Sequence, residues 1–453
     1  MSLKTFSGGV HPHDFKELAR AVAIVEAPVP QLLTIPLSQH IGKPAQCLVK
    51  AGDAVKRGQL VGKADGFISA AIHSPVSGTV KKIGDCNTPL GAVVPALVIE
   101  NDGQDTWADG CNADRDTAAL TASDIRAAAQ EAGLVGRGGA TFPTHVKLSP
   151  PAEKPIDHVI LNGVECEPYL TADYRLMLES PATVVEGLKL AMRAVNCAKG
   201  VIGIEANKPD AFEIMRKACA AASGPGCSLS AELLEVKYPQ GAEKQLIGAI
   251  TGREVPSGGF PMDVGCVVQN VATAHALYEA CRYRRPLTER IVTITGDAVA
   301  KPGNWRARIG TPVSALLALA GFDAAAVRKL VFGGPMMGMA HFDPEMPVTK
   351  GTSGVVALRN PKSFDFGNCV RCGRCVDGCP QCLVPSELSI LVQAGRFGDA
   401  KNADLMDCIE CGVCTYICPA RRPIVQWIKL AKLELRKEQA RAQAAAKPAA
   451  PKA

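Results

Sequence analysis

The sequence predicts a multidomain chain that mixes α/β and α+β architecture, and three observations carry that reading. The chain has 453 residues, and domains usually run about 100–200 residues, so three or more are expected. Short apolar runs broken by turn residues fill residues 36–101, whereas helical and β-rich runs alternate between 120 and 280. Half of the eighteen cysteines lie between Cys369 and Cys418.

Composition narrows the function classes. Hydrophobic residues make up 47% and aromatics only 5%, so the cores must be aliphatic. No stretch approaches ~18 uninterrupted apolar residues, and no membrane-spanning helix is predicted. The opening Met1-Ser2-Leu3-Lys4-Thr5 has no apolar run after its lysine, so no secretory signal is expected and the cytoplasm is the expected compartment. Net charge is +6, but residues 429–453 hold seven Lys/Arg against two Asp/Glu. A basic end on a near-neutral body excludes a large nucleic-acid surface. It fits a solvated tail or a surface that meets something acidic. A disulfide scaffold would be short and secreted, so the clustered cysteines read as metal ligands.

Residues 1–35, with Gly8-Gly9-Val10-His11-Pro12 and several prolines, read as an extended lead-in. In 36–101 a strand-turn-strand pattern runs from Val49 to Gly62, and Ile72-His73-Ser74-Pro75-Val76-Ser77-Gly78-Thr79-Val80 follows. These two segments resemble the biotinyl/lipoyl barrel-sandwich hybrid. That family carries a modifiable lysine between them. Here the intervening Ala64–Ala71 has none, so the resemblance implies the fold without the carrier chemistry. Residues 102–120 are polar and read as a linker. Ser123-Asp124 is the expected cap of a helix running toward Gly133. His158–Leu161 and Gly200–Ile204 are expected strands of an α/β domain over 120–280. Ile291–Gly296 opens a further unit, with a helix near Pro312–Ala320 and a strand near Leu330–Phe332. Over 288–338 it resembles the β-grasp-like module that binds soluble ligands. Residues 360–422 hold the cysteine motifs. The last segment, 423–453, is expected to be a basic helix over 424–443 followed by a disordered tail.

The cysteine runs are Cys369-x2-Cys372-x2-Cys375-x3-Cys379-Pro380 and Cys408-x2-Cys411-x2-Cys414-x3-Cys418-Pro419. This is the two-cluster ferredoxin spacing, in which the fourth cysteine of each run ligates the other cluster. One [4Fe–4S] cluster is assigned to Cys369, Cys372, Cys375 and Cys418, and the second to Cys408, Cys411, Cys414 and Cys379. Zinc, which takes four ligands and commonly two C-x2-C pairs, does not explain a repeated third cysteine followed by Cys-Pro. Cys382 falls outside the pattern and reads as packing, as do the nine scattered cysteines before residue 300.

The run Gly133-Leu134-Val135-Gly136-Arg137-Gly138-Gly139-Ala140-Thr141-Phe142-Pro143-Thr144 follows a helix. It is therefore not a Rossmann fingerprint, which needs a strand before the glycines. Its backbone N–H groups can still close on a phosphate, and Lys147 just beyond can pair with an anion. Further on come Asn162-Gly163-Val164-Glu165-Cys166-Glu167-Pro168, Tyr238-Pro239-Gln240-Gly241-Ala242-Glu243 and Gln269-Asn270-Val271-Ala272-Thr273. In this order the segments resemble the flavin- and NADH-binding subunit of respiratory complex I. The departures are Val164, Ala242 and Ala272 where that family has acids, and Gln269 where it has asparagine. The resemblance implies FMN held by Gly136, Arg137, Gly138, Gly139, Phe142, Lys147, Asn162, Glu165, Glu243 and Asn270. It also implies NADH as substrate, with Glu165 and Glu167 as the catalytic acids.

The Gly-Gly-Val-His-Pro opening, hybrid domain, flavin-type domain, β-grasp-like module and two-cluster motif together resemble the C subunit of the Rnf electron-transport complex. That resemblance implies an NADH-linked, ion-translocating oxidoreductase subunit. Its partners would be integral-membrane and other redox subunits, with ferredoxin as a further one and no nucleic acid. The place would be peripheral, on the cytoplasmic side of the bacterial inner membrane. Hydride transfer moves two electrons and a cluster passes one, and a flavin converts between them. Two alternatives are a soluble flavin and iron–sulfur cobalamin reductase and a flavin-free electron-relay adaptor.

Overall fold

A computed structural model describes residues 3–89, 91–361 and 365–446. They form two compact units. The first holds residues 3–5, 13–236 and 241–361, and the second holds 6–12, 237–240 and 365–446. The expected disordered tail lies outside the described residues from 447 onward.

The first unit begins with two small antiparallel sheets. One has the order Leu32–Pro36, Val93–Asn101, Gly78–Asn87, Ala54–Val55, and the other Gln46–Cys47, Leu60–Lys63, Ile72–His73. Alternating side chains of these strands meet in one aliphatic core of Leu33, Ile35, Val61, Ile72, Val80, Leu97 and Ile99. This is the barrel-sandwich arrangement. At the tip where the carrier families place their lysine stand Phe67 and Ile68, both exposed.

A four-stranded parallel sheet follows, in the order Ser228–Leu234, Lys199–Glu205, His158–Asn162, Cys266–Asn270. Lys199–Glu205, His158–Asn162 and Cys266–Asn270 are buried over most of their length, as expected of strands covered by helices on both faces. The helix Ala122–Glu131 starts slightly earlier than expected. Thr121 rather than Ser123 is its cap: Asp124 N donates to Thr121 Oγ1 at 3.2 Å, and Thr121 N donates back to the Asp124 carboxylate at 2.8 Å. Asp124 thus serves as the third helical residue of a reciprocal box.

A third, six-stranded sheet has the order Ile24–Glu26, Gly303–Arg308, Glu289–Thr295, Gly354–Leu358, Lys329–Phe332, Met339–His341. The helix Val313–Leu319 covers it over Val292, Ile294, Leu316 and Val355. A strand from the proline-rich lead-in thus pairs in parallel with residues 304–306.

The second unit is helical. Pro385–Gln393, Phe397–Asn402 and Ile424–Ala446 pack around Leu388, Val392, Leu405, Ile424, Val425 and Ile428. On the long helix Ile424, Ile428 and Ala431 are buried at a spacing of four and three. Its apolar face therefore covers the cysteine-bearing loops. Among the described residues, no helix is long and apolar enough to cross a membrane.

Candidate redox sites

The two cysteine runs fold into copies of one loop. Gly373 (φ +78°) and Gly412 (φ +82°) open the short helices Arg374–Asp377 and Val413–Tyr416 from the left-handed region, which glycine enters without Cβ strain. Two residues earlier, Arg371 and Glu410 adopt positive φ as well. Each loop turns its first three cysteines around a cavity, and the fourth comes from the other run. One small cavity is lined by Cys369, Cys372, Cys375 and Cys418. The other is lined by Cys379, Cys408, Cys411 and Cys414. Cys418 thus lies with the cysteines of the first run, and Cys379 with those of the second. Cys382 is exposed and lines neither cavity.

The donor set fits iron–sulfur clusters. Burial pushes the thiols of Cys379, Cys408 and Cys414 up, and that of Cys411 up to about 12. Four such thiols facing one small cavity need cationic metal to hold them as thiolates.

Two short segments distant in sequence complete this unit. Gly9 N donates to Gly378 O at 2.9 Å and Val10 pairs with Tyr238, which accounts for the Gly-Gly-Val opening. Tyr238, among the matches to the flavin subunit, is buried and donates from Oη to Cys411 O at 2.9 Å. Lys432, on the last helix but off its apolar face, is 5% exposed. Its Nζ lies 2.5 Å from Cys408 O and 3.3 Å from Glu410. Two acceptors under the helix outweigh its periodicity.

In the first unit, the parallel sheet reverses direction between two strands. From His158–Asn162 the chain adds strands on one side, then returns to place Cys266–Asn270 on the other. Such a switch point leaves a crevice beyond the strand ends, the usual ligand site of open α/β sheets. Asn162 and Asn270 end the two strands in register. The glycine loop lies over this end: Arg137 N donates to Thr273 Oγ1 at 2.9 Å, and Arg137 Nη1 to Ala272 O at 3.2 Å. Gly136 N closes the loop on Phe142 O at 2.8 Å. Gly138, Gly139 and Ala140 are exposed.

The predicted asparagines, glutamates and lysine have definite partners. Asn270 Oδ1 accepts from Ala272 N and caps the helix Val271–Tyr283, while its Nδ2 donates to Asp173 at 2.6 Å. Asn162 Nδ2 donates to Gly241 O at 2.8 Å. Lys147 pairs with Glu243, the first residue of the helix Glu243–Thr251, and donates to Val268 O at 3.2 Å. The Glu165 carboxylate accepts from Asp173 N and Tyr174 N at 2.8 and 3.2 Å, at the start of the helix Ala172–Glu179. The Glu167 carboxylate accepts from Met337 N and Met336 N at 2.8 and 3.2 Å. The loop carrying both glutamates is held from beneath by buried lysines. Lys16 Nζ donates to Glu167 O and Leu170 O, and Lys208 Nζ to Val164 O.

Sequence reasoning missed three residues here. Asp173 is half-buried, and desolvation followed by the Glu165 charge pushes its carboxyl up to about 6. Arg137 and Arg290 face it, and burial lowers them to about 10 and 9. Arg290 Nη2 donates to Arg137 O at 3.3 Å. Only Asp173, acidic in the first turn of a helix after Thr171, left a local signal. Arg290 comes from another sheet. Lys350, the third, is buried and donates to Ala71 O and Gly133 O at 2.6 and 2.7 Å. It joins the hybrid domain to the root of the glycine loop.

The site fits a phosphate-bearing, hydrogen-bonding ligand. Arg137 Nε, Thr144 Oγ1 and Gln269 Nε2 are buried without a partner among the described residues. A Cβ built on Gly139 meets nothing within 4 Å, so space stands open beside the loop.

Known proteins share this layout. Residues 129–279 match the Nuo51 FMN-binding domain, 4–104 the RnfC barrel sandwich hybrid domain, 291–340 the SLBB domain and 362–421 the 4Fe-4S dicluster domain. The C subunit of the proton-translocating ferredoxin:NAD(+) oxidoreductase complex from Clostridium ljungdahlii is 47% identical, over 96% of this chain and 94% of its own. The C subunit of the Na(+)-translocating ferredoxin:NAD(+) oxidoreductase complex from Acetobacterium woodii is 45% identical, over 95% and 97%. The C subunit of the ion-translocating oxidoreductase complex of Rhodobacter capsulatus is 42% identical, over 97% and 85%. Among solved structures, an NAD+-reducing [NiFe]-hydrogenase overlaps 71% of this chain and 61% of its own at 19% identity and a TM-score of 0.48. With the identities to the three oxidoreductase subunits sustained over almost the whole chain, the protein belongs to the RnfC family, the C subunits of the Rnf-type ion-translocating oxidoreductase complexes.

Proposed function

We propose that this chain is the NADH-linked redox subunit of a membrane-bound ferredoxin:NAD(+) oxidoreductase complex that couples electron transfer to ion translocation. One observation carries the reading. A single polypeptide holds two crossed four-cysteine cavities and a parallel sheet whose switch point is closed by a glycine loop. FMN, when bound, exchanges a hydride with nicotinamide as two electrons and exchanges single electrons with the clusters.

Cys369, Cys372, Cys375 and Cys418 hold one [4Fe–4S] cluster, and Cys379, Cys408, Cys411 and Cys414 the other. Gly136, Arg137, Gly138, Gly139 and Phe142 form the loop that closes on the flavin phosphate. Asn162 and Asn270 set the strand ends beneath it, and Lys147 with Glu243 forms its charged rim. Glu165 and Glu167 act as positioning residues, because both carboxylates already accept from backbone N–H groups. The purified full chain, reconstituted with iron, sulfide and FMN, is expected to retain both cofactors through gel filtration and to show NADH-dependent bleaching of the clusters. Retained iron without flavin, and no bleaching, would reduce the chain to an electron-relay adaptor.

The partners are the integral-membrane and other redox subunits of the same complex, and ferredoxin exchanges electrons with the assembly. Attachment is peripheral, on the cytoplasmic side of the inner membrane. It is supported by the exposed basic residues Arg436 and Lys437 on the last helix. High-salt or alkaline washing of membranes is expected to release the protein. Retention until detergent is added would count against peripheral attachment.

A further inference from the structure

The two cluster cavities differ in one respect that their matching loops do not require. The cavity of Cys379, Cys408, Cys411 and Cys414 is lined otherwise by Leu383, Val413, Val425, Ile428 and other uncharged residues. The nearby cation, Lys432, is engaged by Cys408 O and neutralised by Glu410. The cavity of Cys369, Cys372, Cys375 and Cys418 is lined instead by two arginines, Arg371, which is exposed to solvent, and Arg422, which is 4% exposed. No ion pair neutralises the Arg422 guanidinium among the described residues. Arg422 Nη1 donates to Gly367 O at 3.3 Å and Nη2 donates to Gln393 Oε1. The face of the guanidinium lies over the Trp427 ring at 4.7 Å. Its Nε–H is buried with no acceptor among the described residues. A buried N–H without a partner costs about 1–3 kcal/mol, so such a group beside a cofactor cavity calls for an acceptor. The sulfurs of a cluster are the acceptors that this cavity would supply.

We infer that Arg422 Nε–H donates a hydrogen bond to a sulfur of the cluster held by Cys369, Cys372, Cys375 and Cys418, and thereby makes that cluster the higher-potential one of the pair. A reduced cluster carries one more negative charge than the oxidised one. A nearby cation and an N–H···S bond therefore stabilise the reduced form and raise the potential. Solvent exposure acts in the same direction, and it is uneven too: Cys372 is exposed, whereas each ligand of the other cluster is buried or half-buried. Arg422 is a positioning and tuning residue, since the four thiolates hold the iron. The inference rests on the two-cluster reading above.

The test is an EPR-monitored redox titration of the reconstituted full chain, with Arg422→Gln and Arg422→Lys beside the wild type. Cys372→Ser and Cys411→Ser identify which signal belongs to which cluster. In the wild type, the signal lost in Cys372→Ser is expected to titrate at the higher potential. In Arg422→Gln that signal should move to lower potential, with at least a tenfold change in its reduced-to-oxidised ratio at fixed potential. That change corresponds to about 59 mV for one electron. Arg422→Lys should shift less, and the other signal should stay in place. An unmoved signal with full iron content would overturn the hydrogen bond, and equal shifts of both signals would show a general field effect instead. If Arg422→Gln fails to fold, pulsed EPR on wild-type protein labelled with 15N-arginine decides. A 15N coupling confined to that cluster supports the bond, and its absence removes it. Absence of iron from the wild type would instead defeat the two-cluster reading itself.

Discussion

Replacing Cys418 by serine is expected to abolish the EPR signal that Cys372→Ser abolishes, and to leave intact the one that Cys411→Ser abolishes. Cys418 is four residues from Cys414 in sequence, yet it shares a cavity with Cys369, Cys372 and Cys375. A serine oxygen is a harder donor than a thiolate and a poor match for an iron–sulfur centre, so the affected cubane should become labile or lose an iron. Cys379→Ser should do the reverse, because Cys379 lines the cavity of Cys408, Cys411 and Cys414. Iron content and EPR of the reduced variants measure both effects. If Cys418→Ser and Cys411→Ser silence the same signal, ligation is local to each run and the crossed arrangement is wrong.

Gly139→Val is expected to lose flavin while keeping both clusters. The glycine loop suggests Gly138 as the strained position, but Gly138 lies outside the left-handed region. A Cβ there would meet Asn270 at an ordinary 3.7 Å. Gly139, at φ +110°, is the residue whose conformation a side chain rarely adopts. Forcing a β-branched residue into it costs about 1–3 kcal/mol. The loop would relax by turning its N–H groups away from the open space beside it, where the phosphate is proposed to bind. Gly84→Ala, in the hybrid domain where a Cβ meets nothing within 4 Å, is the control and should retain its flavin. Absorbance of the purified variants reads flavin and iron together. Normal flavin in Gly139→Val would move the phosphate site elsewhere, and loss of flavin and iron together would mean general misfolding.

Features that depend on neighbours along the chain are legible without the fold. The x2 spacing places three thiols on one turn of backbone, so both cluster loops could be read from it. The apolar strand ending at Asn162 and the glycine loop are local patterns too, and so is the 4-3 spacing of Ile424, Ile428 and Ala431 that marks the buried face of the last helix. Pairings across long separations emerge only in the folded chain, because no local period exists to betray a partner. Gly8 and Gly9 read as part of a lead-in until Gly378 is seen opposite them. Tyr238 belongs by motif to a flavin domain, yet its hydroxyl serves Cys411. Glu165 and Glu167 have the residue type of catalytic acids, and the backbone amides that hold their carboxylates come from residues 173–174 and 336–337. Arg290 and Arg137 surround Asp173 only because a strand of the six-stranded sheet, the glycine loop and the helix Ala172–Glu179 meet there. In each case a buried polar group must find a partner wherever the fold brings one within about 3 Å, and sequence distance does not enter that requirement.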